Sequence, residues 1–212
     1  QRVVKNENEI PHGLILLTPT NSKANHINIK KLNGLHNEEF KFLGKKTGNF
    51  DENDMSTEML LKLKVGAQIM MVKNDPLKRW VNGSIGFINK LENNKILVKI
   101  NGRIFDVEPS LWEKWDYQLK QGKYEPVVIG TFLQYPIKLA WAATIHKCQG
   151  QTFEKAVVDF DTGSFTHGMT YVALSRVKSL EGLHLIREVQ RKDIIFDKRI
   201  NKFVKQYELL LE

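Results

Sequence analysis

Apolar and polar positions alternate in different ways along the chain. Leu14-Ile15-Leu16-Leu17-Thr18 is a short apolar run ended by Pro19, and it predicts a buried strand. Thr20-Asn21-Ser22 follows, a cluster of good N-cap residues. From Ala24 onward, Ile27, Ile29 and Leu32 predict a helix that stops near Asn33-Gly34. Residues 34–58 are polar, carry several Gly, Asn and Asp, and predict mostly loop, with a short helix over Met59–Leu63. The character then changes. Gln68–Val72, Ile85–Leu91, Ile96–Ile100 and Arg103–Val107 are short β-rich runs. Asn101-Gly102 predicts a type I′ hairpin and Asn82-Gly83 a second turn. Such spacing predicts a small barrel of about five strands. Val127–Tyr135 would be its last strand, and Trp112 and Trp115 would close its apolar end.

After Pro136 the pattern turns α/β again. Leu139–Lys147 predicts a helix ending at Gln149-Gly150, Ala156–Phe160 a buried strand, Met169–Val177 a helix and Gly182–Ile186 a strand. Ile194–Leu211 predicts a helix with Ile195, Ile200, Phe203, Val204 and Tyr207 approximating one face. The fold class is therefore α/β, interrupted by a β insertion, with no repeats and no low-complexity tract.

Composition narrows the function classes. The chain has 212 residues, 42% of them hydrophobic, enough for a packed core and against general disorder. Its formal net charge is +8 with a pI near 9.4, which favours a polyanionic partner; a well-solvated surface accounts for it equally well. Cys148 is the one cysteine, so no intrachain disulfide forms, in keeping with a reducing, intracellular (for a bacterium, cytoplasmic) location. No signal peptide and no bilayer-length apolar run is visible, so no membrane partner is expected. The chain opens Gln1-Arg2-Val3 without an initiator Met and reads as a piece of something longer, with a processed protein as the alternative.

Three segments carry candidate chemistry. Ala143–Thr152 packs Thr144, His146, Lys147, Gln149 and Gln151 into one stretch that ends in a Gly-containing turn, able to offer donors to phosphates or a nucleotide. A plain helix C-terminus with Gly150 at C′ explains it too. Tyr171-Val172-Ala173-Leu174-Ser175-Arg176 places Arg176 near the end of an apolar helix, where it can stabilise charge on a transferring phosphoryl group or simply pair with a carboxylate. Thr18-Pro19-Thr20-Asn21 joins a strand to a capped helix, where α/β sheets usually put ligands, although Thr20 or Asn21 can serve as N-cap alone.

In order and spacing these segments resemble the PIF and RecD class of superfamily 1B DNA helicases. Ala143–Thr152 resembles that family's motif V region, with Cys148 where Ser is usual. Tyr171–Arg176 resembles motif VI, and Leu17–Asn28 the family's Pro-Thr-Asn…Asn strand and turn. Val65–Met71 followed by Asn82-Gly83…Gly86 resembles the start of an inserted SH3-like barrel. The similarity covers most of residues 14–207. It implies a partial second RecA-like (P-loop NTPase type) domain: residues 1–64 as its first part, 65–135 as the inserted SH3-like β barrel, and 136–212 as its remainder with a C-terminal helix. It further implies Arg176 as an arginine finger on the ATP γ-phosphate, and Gln149 and Gly150 at the nucleotide edge. Thr144 and His146, with Lys147 beside them, would face single-stranded DNA, and Thr20 and Asn21 would bind its backbone. Family members generally move 5′ to 3′.

No stretch of this chain matches Gly-x-x-x-x-Gly-Lys-Ser/Thr, and no acidic Walker B run follows an apolar strand. ATP and Mg²⁺ would be bound mainly by an N-terminal RecA-like domain of a longer parent. The expectation is therefore a C-terminal motor fragment, monomeric and inactive alone. The alternatives are a non-catalytic single-stranded nucleic-acid-binding module and a protein-docking piece. Recombination, replication restart and mobile-element transfer all use such motors, and the residues do not choose among them.

Overall fold

Strand β1 (Ile15–Thr18) is buried at every position, and this decides how the rest of its sheet assembles. In the computed structural model it is hydrogen-bonded on both edges to parallel neighbours. One is β12 (Ala142–Thr144), in register Leu16 to Ala142 and Thr18 to Thr144; the other is β13 (Ala156–Val158), with Leu17 opposite Val158. Strand β14 (Leu183–Leu185) adds parallel to β13, giving the order β12-β1-β13-β14. The structure describes residues 3–4, 10–120, 122–161, 163–197, 199–200, 203–204 and 206. The chain forms two compact units, residues 1–26 with 142–212 and residues 27–141.

Helix α1 (Asn21–Asn33) starts directly after Thr20, whose Oγ1 accepts the Lys23 backbone N–H at 3.4 Å. Ala24, Ile27 and Leu32 are buried at helical spacing, whereas Ile29 is 56% exposed and does not share their face. Lys30 and Lys31 in the last turn suit the negative end of the helix dipole. Helix α2 (Met169–Leu174) is shorter than the pattern predicts and buries Met169, Thr170 and Ala173.

The second unit is all strand after α1. The predicted loop over 34–58 instead contains β2 (Glu39–Leu43), β3 (Lys45–Gly48) and a 3-10 turn at Glu52–Asp54. The predicted helix over Met59–Leu63 is strand β4 (Leu60–Lys64), antiparallel to β2. The physical reason is a period of two: Leu61 and Leu63 are fully buried while Leu60 and Lys62 point outward. A five-stranded sheet follows, in the order β11-β5-β6-β7-β8. It comprises β5 (Gln68–Met71), β6 (Ile85–Glu92), β7 (Lys95–Ile100), β8 (Arg103–Val107) and β11 (Ile137–Leu139). Between β7 and β8, Asn101 and Gly102 both have positive φ (49° and 80°), as a type I′ turn requires.

The strand expected over Val127–Tyr135 belongs elsewhere. Strands β9 (Ser110–Lys120) and β10 (Lys123–Gln134) form a long hairpin, and β10 also pairs with β3. Trp112 lies flat against Phe132, centroids 5.7 Å apart, and Trp115 is 55% exposed, so neither caps the five-stranded sheet. That sheet instead shares one core with β2 and β4, in which Leu61, Leu63, Ile69, Met71, Ile96 and Val98 are fully buried.

The helix predicted over Leu139–Lys147 is absent. β11 ends there, β12 follows, and only His146–Cys148 makes a 3-10 turn. Ala142–Thr144 has helical propensity, but the ladder it gains on β1 outweighs that weak preference. Toward the C-terminus the described residues 199–200, 203–204 and 206 are helical, with Ile200, Phe203 and Val204 exposed; Ile194–Asp197 is not helical, Ile195 is half-buried, and Tyr207 lies outside the described residues.

The alternation in β4 has a direct consequence. Leu61→Ala is expected to cost about 2–5 kcal/mol, the range for emptying a closed core site. Leu43→Ala, in the paired strand but 71% exposed, should change stability by no more than about 0.5 kcal/mol. Urea midpoints at constant m-value read both.

Candidate nucleotide and nucleic-acid site

A parallel sheet puts the loops that follow its strands on one edge and the loops that precede them on the other. Thr20, Asn21, His146 and Lys147 follow β1 and β12 at the carboxyl edge, where Thr144 ends β12, and Arg176 lies before β14.

At the carboxyl edge, Thr20 and Asn21 follow β1 and are exposed. Thr144 is the last residue of β12, and His146 and Lys147 come next, both exposed. Thr144 is only 5% exposed, and its Oγ1 accepts the Lys147 backbone N–H at 3.4 Å. Its role in the turn is therefore to hold the exposed pair in place. The His146 Nε2 lies 3.5 Å from the Thr166 hydroxyl, and its ring is 6.1 Å from that of Phe165.

Beneath these residues lies a charge network that sequence reasoning missed. Asp159, directly after β13, is 4% exposed. Its carboxylate accepts Lys23 Nζ at 2.7 Å and the Asp161 backbone N–H at 2.7 Å. Lys23 also reaches Asp161 at 3.3 Å. Burial alone would lower the Lys23 pKa, but the hydrogen bond and charge of Asp159 outweigh it, so the value is raised and the ammonium stays charged. This pair fastens the first turn of α1, and with it Thr20 and Asn21, to the end of β13. After β14, Arg187 grips the fully buried Asp193 bidentately at 2.6 and 2.7 Å. The hydrogen bonds from Arg187 hold the Asp193 carboxyl below its usual range against the desolvation that would raise it. An acidic residue directly after a buried strand, as in Val158-Asp159, was the available signal. Its partners were not visible, because Lys23 is distant in sequence.

A second cluster lies along the crossover from β12 to β13. Gln149 and Gly150 are exposed on the turn before β13, with Gly150 at φ +81°. Arg176, just past α2, is half-buried and held by neutral acceptors only. Its Nε donates to the Val172 carbonyl, Nη1 to the Gln151 carbonyl and Nη2 to the Ser175 hydroxyl, each at 2.9 Å. Its backbone is fixed too, because the Phe153 N–H donates to the Arg176 carbonyl at 2.8 Å. Among the described residues no carboxylate is paired with Arg176. A guanidinium has five N–H donors, so donors and an unneutralised charge remain for an anion. The structure thus brings Arg176 to the segment of Gln149 and Gly150 through Gln151, and that segment continues directly from the His146–Lys147 turn, whose His146 carbonyl accepts the Gln149 N–H at 3.1 Å. Cys148 is fully buried, in keeping with a packing role. Among the described residues no group of His, Cys, Asp or Glu has the arrangement of a metal site, and no helix is long and apolar enough to cross a membrane.

Comparison with known proteins gives this arrangement a class. Over 149 residues the chain is 39% identical to the ATP-dependent DNA helicase Pif1 of Bdellovibrio bacteriovorus, covering 70% of this chain and 32% of that protein. Its structure is similar to unliganded Pif1 from Bacteroides sp, with TM-score 0.84 and 34% identity over 93% of this chain and 46% of that one. It is similar as well to Bacteroides Pif1 in complex with ADP-AlF3 and ssDNA, with TM-score 0.71 and 33% identity over 92% and 45%. The mixed α/β fold is that of a DNA helicase segment. Residues 53–91 match the family described as DNA helicase Pif1, 2B domain. The chain belongs to the Pif1 type of superfamily 1B helicases and corresponds to their C-terminal part. It spans about a third of the length of the Bdellovibrio relative.

The Arg187–Asp193 pair sets a pH signature. Asp193 titrates lower in the folded state than the ~3.9 of an unfolded aspartate, so its stabilisation is complete above that value and is lost as pH falls through the lower folded one. Arg187→Ala leaves a buried carboxylate unpaired and is expected to cost about 3–5 kcal/mol at neutral pH. The penalty should shrink as pH falls and that carboxylate, no longer held ionised by Arg187, takes up a proton. Urea titrations of both proteins across pH 7 to 3 measure it.

Proposed function

We propose that this chain is the second motor segment of an ATP-dependent DNA helicase, with Arg176 as its arginine finger and the carboxyl edge of its parallel sheet as a grip on single-stranded DNA. The observation that carries this is the state of Arg176: oriented by three neutral acceptors, with no carboxylate partner among the described residues. Arg187, in the same unit, has its charge matched by Asp193, whereas Arg176 has only neutral partners among the described residues. Arg176 is prepared for an anion that arrives from outside, and a nucleotide γ-phosphate fits its remaining donors. The similarity to Pif1 in complex with ADP-AlF3 and ssDNA supports the same assignment.

In this proposal the second RecA-like domain comprises residues 1–64 and 136–212, with an SH3-like barrel inserted over 65–135. The five-stranded sheet supports the barrel, and residues 27–64 and 136–141 pack with it as one compact unit. ATP supplies the phosphoanhydride. ATP and Mg²⁺ are held mainly by the parent's other RecA-like domain, since these residues contain no Gly-x-x-x-x-Gly-Lys-Ser/Thr sequence. Arg176 contributes positive charge opposite the terminal phosphate, which favours a closed arrangement only while that phosphate is present. Gln149 and Gly150 border the nucleotide. Thr20, Asn21, His146 and Lys147 hold the strand, with Thr144 shaping the turn that presents the last two. The expected direction is 5′ to 3′.

A second reading, a non-catalytic single-strand-binding module, draws on the net charge of +8. The two separate in one assay. The purified chain alone should release no phosphate from ATP with magnesium, whereas the intact parent should. Arg176→Ala in the parent should lower turnover by roughly 10³-fold or more while single-strand affinity is retained. Steady turnover by the chain alone would contradict the division of labour. Equal loss of turnover and DNA binding, with the fold preserved, would contradict the finger.

A further inference from the structure

The carboxyl edge carries an aromatic side chain that the backbone grip does not use. Phe165 is 58% exposed, although it is among the most apolar residues of its loop. A single exposed phenylalanine is ordinary; its placement is what matters. Its ring lies 6.1 Å from the His146 ring at an interplanar angle of 40°, so the two are neighbours without covering each other. Thr166, the next residue, lies 3.5 Å from His146 Nε2. Lys147, exposed beside His146, supplies a cation for a phosphate.

The loop that presents the ring is tied down on both sides. Gly163 N–H donates to the Phe160 carbonyl at 2.8 Å, and the Ser164 and Thr170 hydroxyls lie 2.9 Å apart. Gly168 N–H donates to the Ile195 carbonyl at 3.2 Å. The backbone on either side of Phe165 is thus anchored before any ligand arrives, which lowers the ordering cost left to binding.

We propose that Phe165, with His146 beside it, forms a nucleobase-stacking subsite on the carboxyl edge of the sheet. The inference rests on the single-strand grip proposed above and adds a contact of different chemistry. Thr20, Asn21 and Lys147 address the sugar–phosphate backbone, and Phe165 addresses the π-face of one base. Every base has such a face, so the subsite takes any unstacked nucleobase and confers grip without sequence preference. A duplex keeps its bases stacked and offers none, which makes the subsite selective for single strands.

The test compares a fluorescein-labelled oligothymidylate with an abasic phosphodiester strand of the same length, by fluorescence anisotropy. The wild-type chain should bind the base-bearing strand more tightly. Phe165→Ala should weaken that binding by about 5- to 100-fold, the range of one base–aromatic contact, and leave the abasic strand nearly unaffected. Phe165→Trp should retain the preference. The slope of affinity against salt should be the same in all three, because no phosphate contact changes. Wild-type binding that ignores the presence of bases, or equal weakening of both strands by Phe165→Ala, overturns the subsite and leaves the backbone grip standing. Failure of the wild type to bind either strand overturns both.

Discussion

The structure of the first unit depends on one strand of four residues. Ile15–Thr18 is buried on both faces and hydrogen-bonded along both edges, and its partners arrive only after the whole of the second unit has intervened in sequence. A parallel ladder tolerates an excursion of that size because loop-closure entropy grows only slowly with length. It also places everything that follows β1, β12, β13 and β14 on one edge. The Thr20 turn, the His146–Lys147 turn and the Phe165 loop therefore share an edge although they are far apart in the chain. The turns that precede β13 and β14 are brought together in the same way, and there the Arg176 guanidinium meets the Gln151 carbonyl.

Electrostatics divide the charged residues into two kinds. Asp159 and Asp193 are almost completely buried, and each has a cation at hydrogen-bond distance: Lys23 for the first, Arg187 for the second. Removing water from a carboxylate without such a partner costs several kcal/mol, so these pairs are conditions of the fold. They also fix the loops that carry the exposed residues. Arg176 is the opposite case. Neutral oxygens orient it and leave its charge uncompensated. The contrast with Arg187 in the same unit is what the proposed arginine-finger role of Arg176 rests on.

The parts of this arrangement that were legible in the sequence are those fixed locally. The run Leu14–Thr18 before Pro19 announced β1, and Asn101-Gly102 announced its turn through two positive φ angles. The order of the segments around Arg176, Gln149 and Gly150 carried the family resemblance. Elements fixed by distant partners were not. Ala142–Thr144 is a strand only because β1 lies beside it, and Glu39–Leu43 and Leu60–Lys64 define each other as a pair within a stretch whose polarity suggested loop and helix. The fifth strand of the five-stranded sheet is Ile137–Leu139, three residues after a much longer run that pairs elsewhere. The buried pairs Lys23–Asp159 and Arg187–Asp193 escaped for the same reason, since one sequence gives the charges and not their partners.

The proposed division of labour gives this unit two ligands: a single strand at the carboxyl edge of the sheet and, at Arg176, a nucleotide held elsewhere. Photo-cross-linking of a 5-iodouridine-substituted single strand to the intact parent, with the adducts mapped by mass spectrometry, tests it most directly. The account expects adducts, among the peptides of this chain, on those containing residues 18–23, 144–147 and 163–167, and none on those containing 174–177. Adducts concentrated on the Arg176 peptides, with the carboxyl edge unmarked, would contradict it.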